Sequence, residues 1–211
     1  MHPLLKYEYC PMCGSHHFVE NSEKSRKCEN CGFELFMNPS AANVAFIMNK
    51  KGELLVERRK QEPAKGTLDL PGGFADPGET AEEGVCREVM EETGLKVTSA
   101  RYIFSQPNIY RFSGVDIPTL DMFFICEVED ESKLQAADDA AECMWVKIDD
   151  IHTEQFGLRS VRLGLIKFME SLKNNGYEAV HSPLVKDENG VWRMDYEDME
   201  KHLKEEKIHA A

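Results

Sequence analysis

Short apolar runs separated by turn signals predict an α/β fold for this chain. Each run has the length and composition of a strand, and a turn around Gly52 separates the first two. The runs occupy residues 38–48, 52–59, 67–73, 96–104, 119–129 and 143–148. Between the fourth and fifth runs we expect a loop over residues 105–118.

Two further segments show the spacing of helices. Residues 80–93 begin at Thr80, which forms a capping box with Glu83, and Gly94 provides a C-terminal stop. Residues 158–173 repeat apolar side chains at intervals of three and four, so we predict a second helix there.

The chain divides into three segments of different character. Residues 1–37 are rich in cysteine, residues 38–173 hold the predicted strands and helices, and residues 174–211 form a C-terminal extension without an assigned role. We expect a short surface helix near the end of this extension. A length of 211 residues suits one full domain with an appendage.

The net charge of −13 restricts the classes of ligand. An acidic surface repels phosphate backbones, so we expect no nucleic-acid partner. A small phosphate compound remains compatible if a divalent cation inverts the local charge. No apolar run approaches the roughly 20 residues of a membrane span, and the first residues lack a signal-peptide pattern. We therefore expect a cytoplasmic protein without a membrane partner.

Four cysteines near the N-terminus predict a zinc ribbon. They form two C-x-x-C pairs, Cys10 with Cys13 and Cys28 with Cys31. Zn²⁺ takes four ligands tetrahedrally, and a C-x-x-C turn lets two thiolates reach one ion. Because all four positions are cysteine, no coordination position stays open, which predicts structural zinc. The alternative is two unrelated cysteine pairs.

A zinc ribbon can also bind nucleic acid, which gives a second functional alternative. However, residues 1–37 carry more glutamates than lysines and arginines, whereas a nucleic-acid finger is usually basic. The charge of this segment argues against nucleic-acid binding.

Acidic residues are concentrated on one face of the first predicted helix. Glu88, Glu91 and Glu92 are three or four positions apart and share that face. Such close carboxylates repel one another unless a cation lies among them, and hard oxygen ligands suit Mg²⁺ or Mn²⁺. Arg87 is placed to hold Glu79, from the preceding loop, against the helix. The alternative is a solvated acidic surface.

The segment from Gly73 to Leu95 resembles the Nudix box, G-x5-E-x7-R-E-U-x-E-E-x-G-U, where U is aliphatic. Every specified position matches, namely Gly73, Glu79, Arg87, Glu88, Val89, Glu91, Glu92, Gly94 and Leu95. The resemblance extends over about residues 39–172. It implies the family's α/β/α sandwich around a mixed sheet, here preceded by the small zinc ribbon.

The resemblance also implies an activity. Nudix enzymes are pyrophosphohydrolases that cleave the diphosphate of a nucleoside diphosphate linked to another moiety. By resemblance, Glu88, Glu91 and Glu92 ligate Mg²⁺ or Mn²⁺ together with the carbonyl of Gly72. A non-catalytic ligand sensor with the same fold is the alternative, but the intact box favours an enzyme.

Further residues have implied roles around this metal shell. Arg87 and Glu79 would orient the ligands. The general base varies within the family between a Nudix-box glutamate and a carboxylate on a distant loop, for which we favour Glu142. One of Arg58 and Arg59 is expected to reach a substrate phosphate, because neighbours on a strand face opposite ways. The aromatic residues expected to stack on a base are Phe74, Tyr110 and Phe112.

A zinc ribbon before a Nudix domain resembles the NADH pyrophosphatase group. That group carries the motif S-Q-P-W-P-F-P-x-S, which aligns with residues 105–113. Ser105, Gln106, Pro107 and Ser113 match, while Asn108 stands at the tryptophan position. The resemblance implies an ADP-linked small-molecule substrate of the NADH or ADP-ribose type, and family habit suggests a homodimer.

Overall fold

The computed structural model describes residues 3–136 and 140–173, with the backbone of 184–186, 188 and 192–194. Most of the extension 174–211, including the helix expected near its end, lies outside the described residues. Within the described part, no helix is both long and apolar enough to cross a membrane.

The N-terminal segment is a three-stranded antiparallel sheet formed by β1 (Phe18–Ser22), β2 (Ser25–Cys28) and β3 (Glu34–Phe36). Its apolar core is small and consists of Phe18, Cys10 and Cys28, with two partly buried side chains packed against them. Such a core gives little stability by itself, so the unit fits a fold that depends on metal.

Two three-stranded sheets make up the middle of the larger unit. The first has the order β4-β8-β7, in which β4 pairs parallel to β8 and β7 pairs antiparallel to β8. The second has the antiparallel order β6-β5-β9. The strands are β4 (Ser40–Ile47), β5 (Glu53–Arg59), β6 (Leu68–Asp69), β7 (Val97–Phe112), β8 (Val115–Val128) and β9 (Ala140–Lys147). Farther along the chain, β10 (Leu184–Lys186) pairs with β11 (Trp192–Met194).

Side chains alternate between the two faces of the strands, so the apolar core has two parts. One part packs against α1 (Ala81–Thr93) and the other against α2 (Arg159–Lys173). On β4, Phe46 belongs to the cluster packed by α2, whereas Ala45 belongs to the cluster packed by α1. Each cluster draws buried residues from both sheets, so the strands form one layer between the helices. The predicted α/β/α sandwich with a mixed sheet is confirmed.

Both predicted helices are present, and α1 has the predicted ends. The Thr80 hydroxyl accepts a hydrogen bond from the Glu83 amide, and the Glu83 carboxylate accepts one from the Thr80 amide. Gly94 adopts a left-handed conformation with φ of 67° and closes the helix. These caps fix where the acidic face of α1 begins and ends.

The predicted loop over residues 105–118 is wrong. These residues continue β7 and β8 as a long antiparallel hairpin, with a turn at Ser113 and Gly114. Because β7 is the edge strand of its sheet, it tolerates Pro107, which has no amide hydrogen to donate. Asn108, Tyr110 and Phe112 alternate along β7 and border a cavity, so this part of the strand lacks the aliphatic alternation typical of a strand packed on an apolar core.

Candidate metal centres and active site

The four ribbon cysteines converge as predicted. Their sulfur atoms all lie within 4.8 Å of one another, with 3.7 Å between Cys10 and Cys31 and 3.6 Å between Cys13 and Cys28. A tetrahedral zinc ion with Zn–S bonds of about 2.3 Å has sulfur atoms about 3.8 Å apart. The cysteine cluster therefore fits a tetrahedral thiolate site.

The acidic face of α1 borders a cavity of about 350 Å³. Residues from β4 to β8, from α2, from the Gly72–Gly73 loop and from the segment 60–62 line the rest of it. The charged residues of the wall comprise eight acidic and two basic side chains. Glu88, Glu91 and Glu92 are all among them, so the structure places the three predicted ligands on one cavity.

Arg87 forms the hydrogen-bonded centre of the α1 face. Its guanidinium donates to Glu79 at 2.8 Å, to Glu88 at 2.9 Å and to Glu91 at 2.9 Å. It also donates to the Phe74 carbonyl at 3.0 Å. The expected contact between Arg87 and Glu79 is present, and it holds the pKa of Glu79 down at about 2.

Glu92 is turned away from Arg87 and towards the Gly72 loop. The Gly72 amide donates to the Glu92 carboxylate at 2.8 Å. Gly72 has φ of 153°, and a Cβ there would lie 2.0 Å from the Asn43 carbonyl oxygen, so only glycine fits. Burial, reinforced by the nearby charge of Glu57, raises the pKa of Glu92 to about 10. The neutral carboxyl is thus favoured when no cation is bound.

Three buried acids in this region were missed by sequence reasoning. Glu57, Asp69 and Asp121 border the cavity and are only 3–4% exposed. Asp121 accepts hydrogen bonds from Thr119 at 2.6 Å and Ser160 at 2.5 Å. Asp121 directly precedes the apolar stretch 122–126, where an acid was an available signal, whereas Glu57 begins a charged triplet at the end of β5 and offered none.

Arg59 reaches the cavity but is engaged by protein groups. Its guanidinium pairs with Asp69 at 2.5 Å and donates to the Tyr110 hydroxyl at 3.2 Å. The Tyr110 ring meets Phe74 edge to face, with ring centroids 5.4 Å apart. Arg59, Tyr110, Phe74 and Phe112 all border the cavity.

Arg58 and Glu142 are paired with each other, away from the residues that line the cavity. Glu142 belongs to strand β9, opposite Arg58 on β5, and the predicted loop position of Glu142 is therefore wrong. Because β5 and β9 remain paired as far as Arg58 and Glu142, these two side chains lie next to each other. The Arg58 Nε is 3.3 Å from a Glu142 carboxylate oxygen. Neither is among the described residues that border the cavity.

The cavity has the donor chemistry of a hard divalent cation. Burial raises the pKa of Glu88 and of Glu92, so a bound cation is needed to favour ionisation of both carboxylates, and oxygen ligands suit Mg²⁺ or Mn²⁺. The oxygens of Glu88, Glu91 and Glu92 are not gathered within 4.8 Å of one another. Arg87 attracts the first two, while Gly72 holds the third. The residues fit a cation that competes with Arg87 for these carboxylates.

This fold and this cavity define a class of protein. Residues 37–165 match the family model of the NUDIX domain, which is more than half of the chain. The chain therefore belongs to the NUDIX family, and the resemblance noted from its sequence is confirmed.

The relatives agree with this assignment. The ADP-ribose pyrophosphatase of Methanocaldococcus jannaschii is 37% identical, over 56% of this chain and 68% of its own. The NAD-capped RNA hydrolase NudC of Shigella flexneri is 28% identical, over 69% of this chain and 53% of its own. The match thus spans about half to two thirds of these relatives' lengths.

A solved structure supports the fold. The NUDIX hydrolase of Nitrosomonas europaea superposes with a TM-score of 0.64 at 21% identity. The superposition covers 80% of this chain and 94% of that protein. At this level of identity the likeness concerns the fold alone.

Proposed function

We propose that this protein is a divalent-cation-dependent pyrophosphohydrolase acting on ADP-linked small molecules of the NADH or ADP-ribose type. The observation that carries the proposal is the arrangement of Glu88, Glu91 and Glu92 on one cavity, whose wall also contains an arginine and aromatic rings. The names of the relatives, ADP-ribose pyrophosphatase and NAD-capped RNA hydrolase, support the substrate class.

The proposed catalytic ion is Mg²⁺ or Mn²⁺, held by Glu88, Glu91, Glu92 and the Gly72 carbonyl. When bound, such an ion neutralises diphosphate charge and lowers the pKa of a coordinated water. The buried Glu57 adds negative charge that favours cation binding. In the ribbon, the proposed ion is structural Zn²⁺ on Cys10, Cys13, Cys28 and Cys31.

The chain's own residues orient the reaction. Arg87, held by Glu79, fixes the carboxylates of Glu88 and Glu91. Phe74 and Tyr110 offer ring faces and edges to a nucleobase. Arg59 is the proposed phosphate contact because it borders the cavity, whereas Arg58 is not among the described residues of its wall.

Hydrolysis has a simple balance. The oxygen of water bonds to one phosphorus, the bond from that phosphorus to the bridging oxygen breaks, and the bridging oxygen leaves on the other phosphate. Two phosphomonoesters form, and the two protons of water pass to the base and to phosphate or solvent. A base must accept the proton of the attacking water. Glu142 lies outside the cavity wall, so its placement favours a Nudix-box glutamate for this role.

The test is a panel of NADH, ADP-ribose and other dinucleotides incubated with Mg²⁺ or Mn²⁺. We expect AMP and a second phosphomonoester, with no turnover when divalent cations are removed. A ligand sensor would bind a panel member without cleaving it. A nucleic-acid-binding ribbon would instead shift the mobility of an oligonucleotide, and the acidic charge predicts no shift.

Two further expectations complete the proposal. We also propose that the protein acts in the cytoplasm, where a reducing environment keeps cysteines as thiols or zinc thiolates. Homodimer formation is checked by light scattering at micromolar concentration, where a monomer mass would contradict it.

A further inference from the structure

A second hollow, of about 580 Å³, adjoins the acidic cavity. We call it the vestibule, and its lining consists of Lys60, Gln61, Glu62, Lys65, Arg111, Phe112 and Ser113. Residues 60–62 and Phe112 border both hollows, so the two lie side by side.

The two hollows differ in charge. The cavity wall has eight acidic and two basic side chains, whereas the vestibule has three basic side chains and one acidic side chain. A local excess of positive charge is unusual for a chain of net charge −13. Concave surfaces lined by one sign of charge concentrate ligands of the opposite sign. The vestibule is therefore suited to an anion.

The vestibule cations come from two segments that the structure holds in place. Lys60 and Lys65 belong to the connection between β5 and β6, which Arg59 anchors by donating to the Pro63 carbonyl at 2.8 Å. Arg111 lies on β7 and has its Nε 3.5 Å from Asp116, both side chains being exposed.

The zinc ribbon also contacts this region. Lys6 donates to the carbonyl of Gly114, at the turn of the β7–β8 hairpin. This contact adds a cation next to Ser113, which lines the vestibule. The ribbon thus supports the hairpin that carries Arg111.

We propose that the vestibule binds a phosphate monoester on the ribose of the substrate, outside the diphosphate that is cleaved. The proposal rests on the proposed function, because it assumes that the diphosphate occupies the acidic cavity with its cation. A third phosphate, on the ribose, would then lie in the vestibule near Lys65 and Arg111. Phe112 is 55% exposed and offers a ring face to the attached sugar or base.

The test compares substrate pairs that differ only in this phosphate, such as NADPH with NADH and 2′-phospho-ADP-ribose with ADP-ribose. We expect wild type to show kcat/KM about 3- to 30-fold higher for the phosphorylated member, the effect of two exposed ion contacts. Lys65→Ala/Arg111→Ala should bring this ratio close to one while leaving kcat/KM for NADH unchanged. Neither residue borders the acidic cavity.

The matched control is Lys50→Ala/Lys51→Ala, which removes the same charge from the exposed turn before β5 and should preserve the ratio. Equal wild-type kcat/KM values for both members, or an equal loss on both in the vestibule variant, would overturn the proposal.

A binding measurement separates this proposal from the proposed function. If wild type hydrolyses no member of any pair, the proposed function fails, and calorimetry with the same four ligands still tests the vestibule. Tighter binding of the phosphorylated ligands by wild type than by the double variant supports the vestibule. Equal or absent binding of these ligands overturns it.

Discussion

Replacing Glu92 by Gln should stabilise the cation-free protein while removing its activity. The Glu92 side chain is 5% exposed, and burial raises its pKa from 4.5 to about 10. Because the folded pKa is the higher one, the native state binds the extra proton. Stability therefore falls as the pH rises from about 4.5 to about 10. Gln keeps the shape and the oxygen that accepts from Gly72, but it has no proton to lose.

The expected change in the free energy of unfolding follows from the difference between the native and unfolded pKa of Glu92. At pH 7.5 the carboxyl is ionised in the unfolded state and protonated in the native state. This pH lies about 3 units above the unfolded pKa of 4.5. At about 1.4 kcal/mol per unit, the upper bound is about 4 kcal/mol of destabilisation that Glu92→Gln removes. Entry of water and sharing of charge with Glu57 reduce this bound, so we expect at least about 1 kcal/mol. For a chain of this size that gain corresponds to a rise in Tm of about 2–4 °C.

The assay is thermal unfolding of both proteins at pH 5.5, 7.0 and 8.5. Buffers are cleared of divalent cations on a chelating resin, because a strong soluble chelator also removes zinc from the ribbon. The matched control is Glu91→Gln at the preceding residue. The Glu91 side chain is 45% exposed and pairs with Arg87 at the surface. Loss of that pair should cost about 0.3–0.5 kcal/mol.

The result that would refute the reasoning is clear. A lower Tm for Glu92→Gln than for wild type at pH 7.0, or a difference that does not grow with pH, would show that Glu92 is not a buried, protonated carboxyl. Added Mg²⁺ should stabilise wild type more than Glu92→Gln, since binding to the native state raises stability by mass action.

Three further predictions test other parts of the account. Arg87→Lys loses the forked contacts with Glu79 and Glu88, and steady-state kinetics should show a fall in kcat/KM of about 10- to 100-fold with an unchanged fold by circular dichroism. Cys28→Ser should release zinc, measured by mass spectrometry, and lower the Tm; a folded variant that keeps one equivalent of zinc would contradict the ribbon assignment. Glu142→Gln should retain kcat within about threefold of wild type, because a lost general base typically costs 100-fold or more.

The parts of the fold that depend on local signals could be predicted from the sequence. Thr80, Glu83 and Gly94 define the ends of α1 through contacts within a few residues, and the spacing of the Nudix-box acids then follows from helix geometry. Likewise, the cysteine spacing predicted the sulfur cluster.

Other features depend on contacts between distant segments and could not be predicted in this way. Glu57 on β5 and Asp121 on β8 are far apart in sequence and border the same cavity only because the fold brings these two strands to it. The hairpin over residues 105–118 looked like a loop because its inward positions face that cavity and not an apolar core. The continuation of β9 to Glu142 depends on pairing with β5, which no local signal specified.

The central claim is that the α1 carboxylates support cation-dependent cleavage of a diphosphate. ³¹P NMR of ADP-ribose with wild type and Mg²⁺ should show the diphosphate signals replaced by two phosphomonoester signals. Glu91→Gln and Glu92→Gln should each reduce the rate on the order of 100-fold or more, as expected when a catalytic cation loses a charged ligand. If both variants hydrolyse the best substrate of the panel at near wild-type rate, the acidic face of α1 is a solvated surface and the account is contradicted.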